Sequence, residues 1–368
     1  MLVNGVPYRT IWRRHEGAIA FIDQNLLPHR FAIKEATSVE EMAEAIRHMS
    51  IRGAIALGAA AAYGLELAAH RAPDTELPAA LHHAATLLKQ TRPTAVNIAW
   101  ATDSVLEATA EATTPQELRH LLRTAVDKLV NAEIERCRRI GEHGMHIIKS
   151  LAEKKEGAPV NILTHCNAGW LGCVDYGTAL APIYVAANNG IQLHVWVSET
   201  RPRNQGSALT AWELHQHGIP YSVVTDNACG HLIQRGLVDV AFVGADRITR
   251  RGDTANKIGT YLKALACHAH GVPFYVAAPT SSFDWSSHAK PGHIPIEERS
   301  SDEVHTATGI YQGTLITVRI TPEGATAWNP SFDVTPVELL SGFITEHGVF
   351  PATIEGLEEL AAYAHASS

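Results

Sequence analysis

The hydrophobic pattern divides the chain into two parts that differ in the spacing of their apolar residues. As far as about residue 35, short apolar runs alternate with polar residues or with Gly and Pro, which is typical of short strands. From Ser38 the pattern changes, because Ser38 and Glu41 have the spacing of a helix capping box and apolar residues then recur at helical spacing. The pattern predicts a small sheet followed by helices. The predicted strands are Tyr8–Trp12, Ala18–Ile22 and Phe31–Ile33, and the predicted helices include Gly53–Ala69, Leu77–Gln90, Ala95–Ala112 and Pro115 to about Gly141.

After Pro159, short continuous apolar runs alternate with helical segments. Each run has the length of a strand buried on both faces, so the alternation predicts a doubly wound parallel sheet. The predicted fold class is α/β, with an N-terminal domain of a short antiparallel sheet plus helices at 1–141 and a sheet domain at 142–368. An exposed connection is predicted near 141–158. The predicted strands are Val160–Thr164, Leu193–Val197, Tyr221–Thr225, Val238–Val243 and Pro273–Ala277, and the helices between and after them are Ala179–Ala187, Ala208–His217, Gly230–Gly236 and Ile258–His270.

Composition narrows the class of protein. Hydrophobic residues make up 46% of the chain and charged residues 18%, which indicates a packed chain rather than a disordered one. The formal net charge of -8 is opposite to that of a non-specific nucleic-acid binder, so an anionic ligand requires a local basic cluster. The five cysteines form no C-x-x-C pair, which favours a reducing cytosol. Without a signal-peptide pattern or a long apolar run, we expect a cytoplasmic protein with no membrane partner and no nucleic-acid partner.

Polar residues concentrate at four predicted strand ends, where ligands bind in a sheet of this type. The stretches are Thr164–Gly169, Glu199–Gly206, Thr225–Asn227 and Gly244–Arg247. Cys166 lies in the first, between a strand and a predicted helix start, where the helix dipole lowers the pKa of a thiol. A lone cysteine at a strand end is usually structural, but the predicted helix start favours a functional one here. Asp246 lies in the fourth stretch, and taken alone it is better interpreted as a helix cap.

Basic residues next to helix starts form a candidate phosphate site. Arg52 and Arg92 each precede a predicted helix, with small residues beside them that let the backbone approach a ligand. The polar stretch Gly252–Thr260 carries Lys257 and runs into a predicted helix, which makes an anion site or an ordinary solvated cap. A G-x-G-x-x-G motif and a P-loop lysine are missing, which argues against a dinucleotide or nucleoside triphosphate. The histidines are scattered, so no metal is predicted.

Taken in order, these motifs resemble the S-methyl-5-thioribose-1-phosphate isomerase family of methionine salvage. The resemblance extends from about residue 50 to 350 and implies a helical N-terminal domain, a Rossmann-like C-terminal domain, a homodimer and no dissociable cofactor. The matching stretches are Arg52–Ala54, Arg92–Asn97, Thr164–Gly169, Glu199–Gly206, Gly244–Arg247, Gly252–Thr260 and Asn329–Pro336.

The resemblance also implies the reaction and its residues. The expected reaction is aldose–ketose isomerisation of S-methyl-5-thio-α-D-ribose 1-phosphate to S-methyl-5-thio-D-ribulose 1-phosphate. Asp246 takes the place of the proton donor and Cys166 that of the second catalytic group. One departure is Ile55, where the family usually has a proline that fixes the backbone beside Arg52. The positions implied to contact substrate are Arg52, Gly53, Ala54, Arg92, Gln205, Asn256 and Lys257.

Several alternatives stay open at this point. The same fold and many of the motifs occur in regulatory subunits of the guanine-nucleotide exchange factor for translation initiation, which are binding proteins. Among enzymes, isomerases of ribose 1,5-bisphosphate or 5-deoxyribose 1-phosphate are nearer alternatives. Ile55, Leu57 and Trp170 are candidates for an apolar subsite around the C5 substituent, whereas Arg201 and Arg203 are candidates to bind a second phosphate. Proton transfer and hydride transfer between C2 and C1 are both open.

Overall fold

The structure is a computed structural model of the chain, and it describes residues 1–93, 95–285 and 294–366. The N-terminal part begins with a two-stranded hairpin that was not predicted. The three-stranded antiparallel sheet that follows was predicted, although two of its three strand positions are shifted by a few residues. Five helices follow. The strands are β1 (Leu2–Val3), β2 (Val6–Pro7), β3 (Ile11–His15), β4 (Ala18–Ile22) and β5 (Ile33–Ala36), and the helices are α1 (Val39–Arg47), α2 (Ala54–Arg71), α3 (Leu77–Thr91), α4 (Val96–Glu107) and α5 (Pro115–Lys154).

The capping box that the sequence predicted begins helix α1. The Ser38 hydroxyl accepts the backbone N–H of Glu41 at 3.3 Å, which satisfies one of the free donors at the helix start. Helix α2 is buried on nearly every side, and its alanines allow α3, α4 and α5 to pack around it. The N-terminal core therefore forms around α2.

Helix α5 is longer than predicted, because it continues through Gly141 to Lys154. The predicted exposed connection at 141–158 was therefore wrong over most of its length. Glycine at these positions serves close packing rather than a chain break: an added Cβ at Gly141 would lie 3.1 Å from the Ala181 carbonyl oxygen, and one at Gly144 would lie 2.4 Å from Pro182. The division into domains at residue 141 stays a prediction, and it falls inside this helix.

The second part is built on a seven-stranded sheet in the order β18-β17-β12-β9-β6-β7-β8. All neighbouring pairs are parallel except β17 with β18, which confirms the predicted α/β fold with a doubly wound sheet. The order of connection reverses between β6 and β9, so the crevice for a ligand lies at the carboxyl ends of these two strands. The strands are β6 (Val160–Thr164), β7 (Leu193–Ser198), β8 (Tyr221–Val224), β9 (Val240–Val243), β12 (Phe274–Ala277), β17 (Gly342–Thr345) and β18 (Gly348–Pro351).

Helices cover both faces of this sheet, and the predicted helical segments are confirmed with small shifts at their ends. A π-helical turn at Gly206–Thr210 leads into α7, which shortens that helix at its start. Among the described residues, no helix is long and apolar enough to cross a membrane. The helices are α6 (Ala181–Asn188), α7 (Ala211–Gln216), α8 (Ala228–Gln234), α9 (Thr260–Ala269), α10 (Asp302–His305) and α11 (Ile354–Ala366).

A four-stranded sheet and a separate hairpin were missed by the hydrophobic pattern. The sheet has the order β13-β10-β11-β16, and it lies beyond the end of β9. The stretch Gly252–Thr260 was predicted as a loop running into a helix, but its middle four residues form strand β11, and α9 begins at Thr260. The strands are β10 (Arg247–Thr249), β11 (Thr254–Lys257), β13 (Phe283–Asp284), β14 (Thr306–Tyr311), β15 (Thr314–Arg319) and β16 (Phe332–Thr335).

Candidate active site

The two predicted catalytic residues lie on either side of the crevice between β6 and β9. Cys166 follows β6 by two residues, and Asp246 follows β9 by three. Both line one cavity of about 50 Å³. Four of the predicted substrate contacts line the same cavity, namely Arg52, Gly53, Ala54 and Asn256. The fold therefore brings residues from both parts of the chain to one place.

A larger cavity of about 250 Å³ adjoins the first and shares Gly53, Ala54 and Asp246 with it. Arg92 lines this second cavity. The rest of its wall is mainly apolar, and includes Leu57, Val96, Ile294 and Phe332. Of the residues predicted to surround the C5 group, Leu57 lines the larger cavity and Ile55 the smaller one, whereas Trp170 is fully buried in the core and lines neither.

Cys166 is held by its backbone in a left-handed conformation, with φ at 63°. Its N–H donates to Thr200 Oγ1 at 2.8 Å, its carbonyl accepts the hydroxyl of Thr210 at 2.7 Å, and its Sγ lies 3.4 Å from Gln205 Oε1. The predicted helix start next to Cys166 was wrong, because α6 begins only at Ala181.

The pKa of the Cys166 thiol accordingly moves in the direction opposite to the one predicted. Burial raises this pKa, and the charges of Arg52 and Lys257 oppose the shift only in part. The buried thiol therefore stays protonated near neutral pH unless a ligand changes its surroundings.

Asp246 leads into strand β10 rather than a helix, so its interpretation as a helix cap was wrong. Its backbone N–H donates to the Ala255 carbonyl at 3.0 Å. Within the described residues, no hydrogen bond is made to its carboxyl group, which lines both cavities. Burial raises the pKa of this carboxyl, although nearby cations oppose the shift. These cations are Lys257, Arg92 and Arg52.

Arg52 directly precedes α2, as predicted, and its guanidinium is buried. Nη1 donates to Asn167 Oδ1 at 2.5 Å, and Nη2 donates to the Asn167 carbonyl at 2.8 Å. Gly53 has φ at 91°, and an added Cβ there would lie 2.2 Å from the Gly172 carbonyl oxygen. Only glycine fits this position, because both the backbone angle and the contact exclude a side chain.

Arg92 reaches the site from the end of α3. Nη2 forms an ion pair with Glu297 Oε2 at 2.7 Å, while Nε has no hydrogen-bond partner in the described part of the chain. Glu297 is in turn 3.3 Å from the guanidinium of Arg299. Arg92 thus keeps hydrogen-bonding capacity for a ligand. Thr94 of the Arg92 motif lies outside the described residues.

Asn256 and Lys257 lie at the end of strand β11, close to the start of α9. The Asn256 side chain donates to Thr260 Oγ1 at 2.9 Å, and Lys257 Nζ lies 4.8 Å from the centre of the Phe332 ring. Burial lowers the pKa of Lys257. Gln205 and Lys257 both line a small cleft next to the Cys166 side of the site. All nine predicted site residues therefore lie in or beside the crevice.

Residues that support the site were missed in the sequence. Thr200 accepts the N–H of Cys166, and the carboxylate of Asp226 accepts the N–H of Thr200 at 2.8 Å. His165 is fully buried behind them, and burial together with Lys263 lowers its pKa to about 3, so its ring is neutral. Strand-end motifs already contained three of these residues, but the sequence did not indicate which of them contact one another.

The comparisons with known proteins agree with this geometry. A model of the Initiation factor 2 subunit family matches residues 50–352, and the chain therefore belongs to that family. Within it, the chain is similar to the methylthioribose-1-phosphate isomerase of Methylocella silvestris, with 51% identity over 97% of each chain.

Two solved structures of proteins with different names are similar to this chain. The 5-methylthioribose 1-phosphate isomerase of Pyrococcus horikoshii is 38% identical, with a TM-score of 0.85, and the match covers 97% of this chain and 96% of that one. The translation initiation factor eIF-2B subunit delta of A. fulgidus is also 38% identical, with a TM-score of 0.79 over 96% of this chain and 100% of that one. The resemblance to the isomerase family is thereby confirmed.

Proposed function

We propose that the chain is an aldose–ketose isomerase that converts S-methyl-5-thio-α-D-ribose 1-phosphate to S-methyl-5-thio-D-ribulose 1-phosphate in methionine salvage. One observation carries this proposal: a thiol and a carboxyl group share a cavity at the switch point of the sheet, and basic side chains surround them. Two relatives that are named methylthioribose-1-phosphate isomerase are 48% and 51% identical to this chain, over 98% and 97% of its length.

Opening of the sugar ring is the first chemical problem. The anomeric oxygen of the substrate bears the phosphate, so the furanose does not open to a free aldehyde as ordinary aldoses do. In our proposal Asp246 donates a proton to the ring oxygen while the C1–O bond of the ring breaks. Burial already raises the pKa of Asp246, and a phosphate dianion bound nearby raises it further, which favours the protonated acid.

Transfer of hydrogen from C2 to C1 completes the isomerisation. In the proton-transfer form, a base takes the C2 proton, an enol phosphate forms, and a proton is then delivered to C1. Cys166 is the proposed group for this step: in its thiolate form it accepts the C2 proton, and as a protonated thiol it stabilises the charge that develops. The proton lost from the C2 hydroxyl returns to Asp246, so the carboxyl group ends the cycle as it began. Hydride transfer from C2 to C1 gives the same product with Cys166 and Asp246 in place.

Binding of the phosphate falls to the basic residues around the crevice. We propose that Arg52, Arg92 and Lys257 hold the 1-phosphate, with Gln205 and Asn256 as polar contacts and the backbone at Gly53 and Ala54 close to the ligand. The methylthio group would lie in the larger, mainly apolar cavity. We also propose that the protein is a cytoplasmic homodimer that requires no metal, dissociable cofactor or nucleic acid, as the resemblance and composition implied.

A preference for ribose 1,5-bisphosphate is disfavoured by the surroundings of two arginines. Arg201 donates to the carbonyls of Val304 and Thr306, and Arg203 pairs with Glu303 at 3.1 Å. Both guanidinium groups therefore already have partners within the protein. Burying an unpaired phosphate dianion is far more unfavourable than the roughly 1.5 to 2 kcal/mol gained from a methylthio group.

One assay of the purified protein separates the candidate functions. We expect kcat/KM to be highest for methylthioribose 1-phosphate, about tenfold lower for 5-deoxyribose 1-phosphate, and lowest for ribose 1,5-bisphosphate. The readout is formation of the ketose phosphate. A preference for the bisphosphate would move the protein to that branch of isomerases, and turnover of none of the three would favour the binding-protein alternative.

A further inference from the structure

Glu213 is a fully buried carboxylate that the proposed chemistry does not use. It lies on α7, and four donors from the chain beyond Cys166 surround it. The side-chain amide of Asn167 and the N–H of Leu171 donate to Oε1 at 2.8 and 3.0 Å. The N–H of Trp170 and the hydroxyl of Tyr184 donate to Oε2 at 2.9 and 2.6 Å.

This set of partners favours the ionised form of Glu213. Burial raises the pKa of its carboxyl group, and the hydrogen bonds from Tyr184, Asn167 and the backbone oppose that shift. An ionised carboxylate accepts from all four donors, whereas the acid form requires the Tyr184 hydroxyl to turn and accept the carboxyl proton, since the other three partners only donate. The geometry thus supports an anion in the interior, and a buried anion requires a cation nearby.

Asn167 connects this anion to the site. Its side-chain amide donates one hydrogen to Glu213 and the other to Thr210 Oγ1 at 3.1 Å, and Thr210 donates to the carbonyl of Cys166. Its Oδ1 and its backbone carbonyl accept the two guanidinium bonds of Arg52. Every hydrogen of the Asn167 amide group is used, so the amide has one orientation, and the charge of Arg52 balances that of Glu213 across it.

We infer that Glu213 is a positioning residue for the isomerisation: through Asn167 it orients the guanidinium of Arg52 and the backbone of Cys166 toward the bound sugar phosphate. This inference rests on the function proposed above. The loop follows the carboxylate closely, since an added Cβ at Gly169 would lie 1.9 Å from Glu213 Oε2. A shift of about 1 Å in a reacting or binding group lowers turnover by up to roughly 10²-fold.

The test compares Glu213→Gln with Tyr184→Phe. The second variant loses the hydrogen bond to Oε2 of the same carboxylate, whereas Asn167 donates to Oε1. Glu213→Gln keeps the shape but removes the charge and puts an amide NH2 group against donors. We expect kcat/KM to fall by about tenfold to hundredfold, together with a higher KM and weaker inhibition by inorganic phosphate. Tyr184→Phe removes one bond in the core, and we expect it to lower stability while leaving kcat and KM within about twofold of wild type.

A double variant distinguishes orientation by charge from simple damage to the core. In Glu213→Gln with Asn167→Asp, the negative charge moves one residue nearer to Arg52, and the new amide NH2 group can donate to the new carboxylate. We expect the double variant to recover a large part of the phosphate affinity that Glu213→Gln loses. If Glu213→Gln does not fold, Asn167→Ala breaks the same connection with Glu213 in place and should give the same rise in KM.

Failure of the positioning role of Glu213 and failure of the proposed isomerase function give different results. Wild-type kcat and KM in folded Glu213→Gln, or an equal loss of kcat/KM in Tyr184→Phe, would overturn the positioning role. A wild-type protein without isomerase activity would instead overturn the proposed function, and phosphate inhibition could then not be measured at all.

Discussion

The two sides of the crevice are built in different ways. On the β6 side, hydrogen bonds bind both the N–H and the carbonyl of Cys166, and the residue that follows it is bound to Arg52 and Glu213. On the β9 side, Asp246 is fixed through its backbone, while its carboxyl group faces both cavities with no hydrogen bond from the described residues.

This difference matches what each group is proposed to do. A thiol that acts at the neighbouring carbons C1 and C2 of the sugar must be held at a fixed place, because its reach is short. A carboxyl group that first gives and later receives a proton needs free lone pairs and a surrounding that raises its pKa. The β6 side fixes the position of the Cys166 thiol, and the β9 side raises the pKa of the Asp246 carboxyl group.

The largest effect is expected from replacing the two facing groups themselves. Cys166→Ser keeps the backbone bonds and changes only the sulfur, and Asp246→Asn keeps the shape and removes the acid. Each variant should lower kcat by at least ~10²-fold, as measured by steady-state kinetics, with circular dichroism to confirm the fold. Near-normal turnover in either folded variant would remove that residue from the mechanism.

Arg92 tests whether the phosphate lies on the β9 side as well. Arg92→Ala removes a charge-assisted contact, so kcat/KM should fall about tenfold to hundredfold. Arg251→Ala is the matched control, because it removes the same charge from an exposed position in the loop after β10. If both variants behave alike, or if Arg92→Ala has no effect, the phosphate does not contact Arg92.

Gly53 tests how tightly the β6 side is packed. Gly53→Ala combines a left-handed backbone angle with a clash against the Gly172 carbonyl, whereas Gly157→Ala has a φ of 94° and meets nothing within 4 Å. Strain at Gly157 should lower the free energy of unfolding by about 1 to 2 kcal/mol. Gly53→Ala should lower it further and also reduce kcat/KM, since Arg52 must move. Equal loss in the two variants, measured by urea unfolding, would contradict the close contact.

The smallest effect concerns Asp333, which accepts the N–H groups of Gly259 and Tyr261 at the start of α9. Burial raises its pKa to about 6, above the roughly 3.9 of an unfolded chain. The folded state therefore binds the proton more tightly, and this contribution to stability is lost as pH rises through 6. It should amount to about 1 kcal/mol between pH 5 and pH 7.

Asp333→Asn should remove this contribution from the pH dependence of urea unfolding. Glu323→Gln removes an exposed carboxyl group and is the matched control. A pH dependence that is the same in wild type and Asp333→Asn would show that this carboxyl does not titrate in that range.

The sequence predicted five of the seven strands of the central sheet, because strands buried on both faces are short, continuous apolar runs, but it missed β17 and β18. Val160–Thr164 was predicted to the residue. The small sheet that carries Asn256 and Lys257 was missed for the opposite reason. Its strands are short and its buried positions are filled by polar residues such as Thr254, which is fully buried, so no alternation appears in the sequence.

The candidate site could be predicted as a set of residues but not as an arrangement. Strand-end motifs identified Cys166 and Asp246, because the carboxyl ends of parallel strands meet at one edge. The local surroundings of Cys166 were wrong, since the helix start that should have lowered its pKa is absent. Glu213 was missed because a single glutamate in a short helix resembles a solvent-facing position, and only the folded chain brings the donors of residues 167–184 around it.

Helix α5 contributes residues to the hydrophobic cores of both parts of the chain, although the sequence pattern divides the chain in two. Leu122 and Val126 at one end belong to the core around α2, and Ile140 and Ile148 at the other belong to the core under the parallel sheet. A continuous helix shared by both cores couples them, because bending it would open two packed interiors at once. Heating or denaturant should consequently unfold both parts in a single cooperative transition.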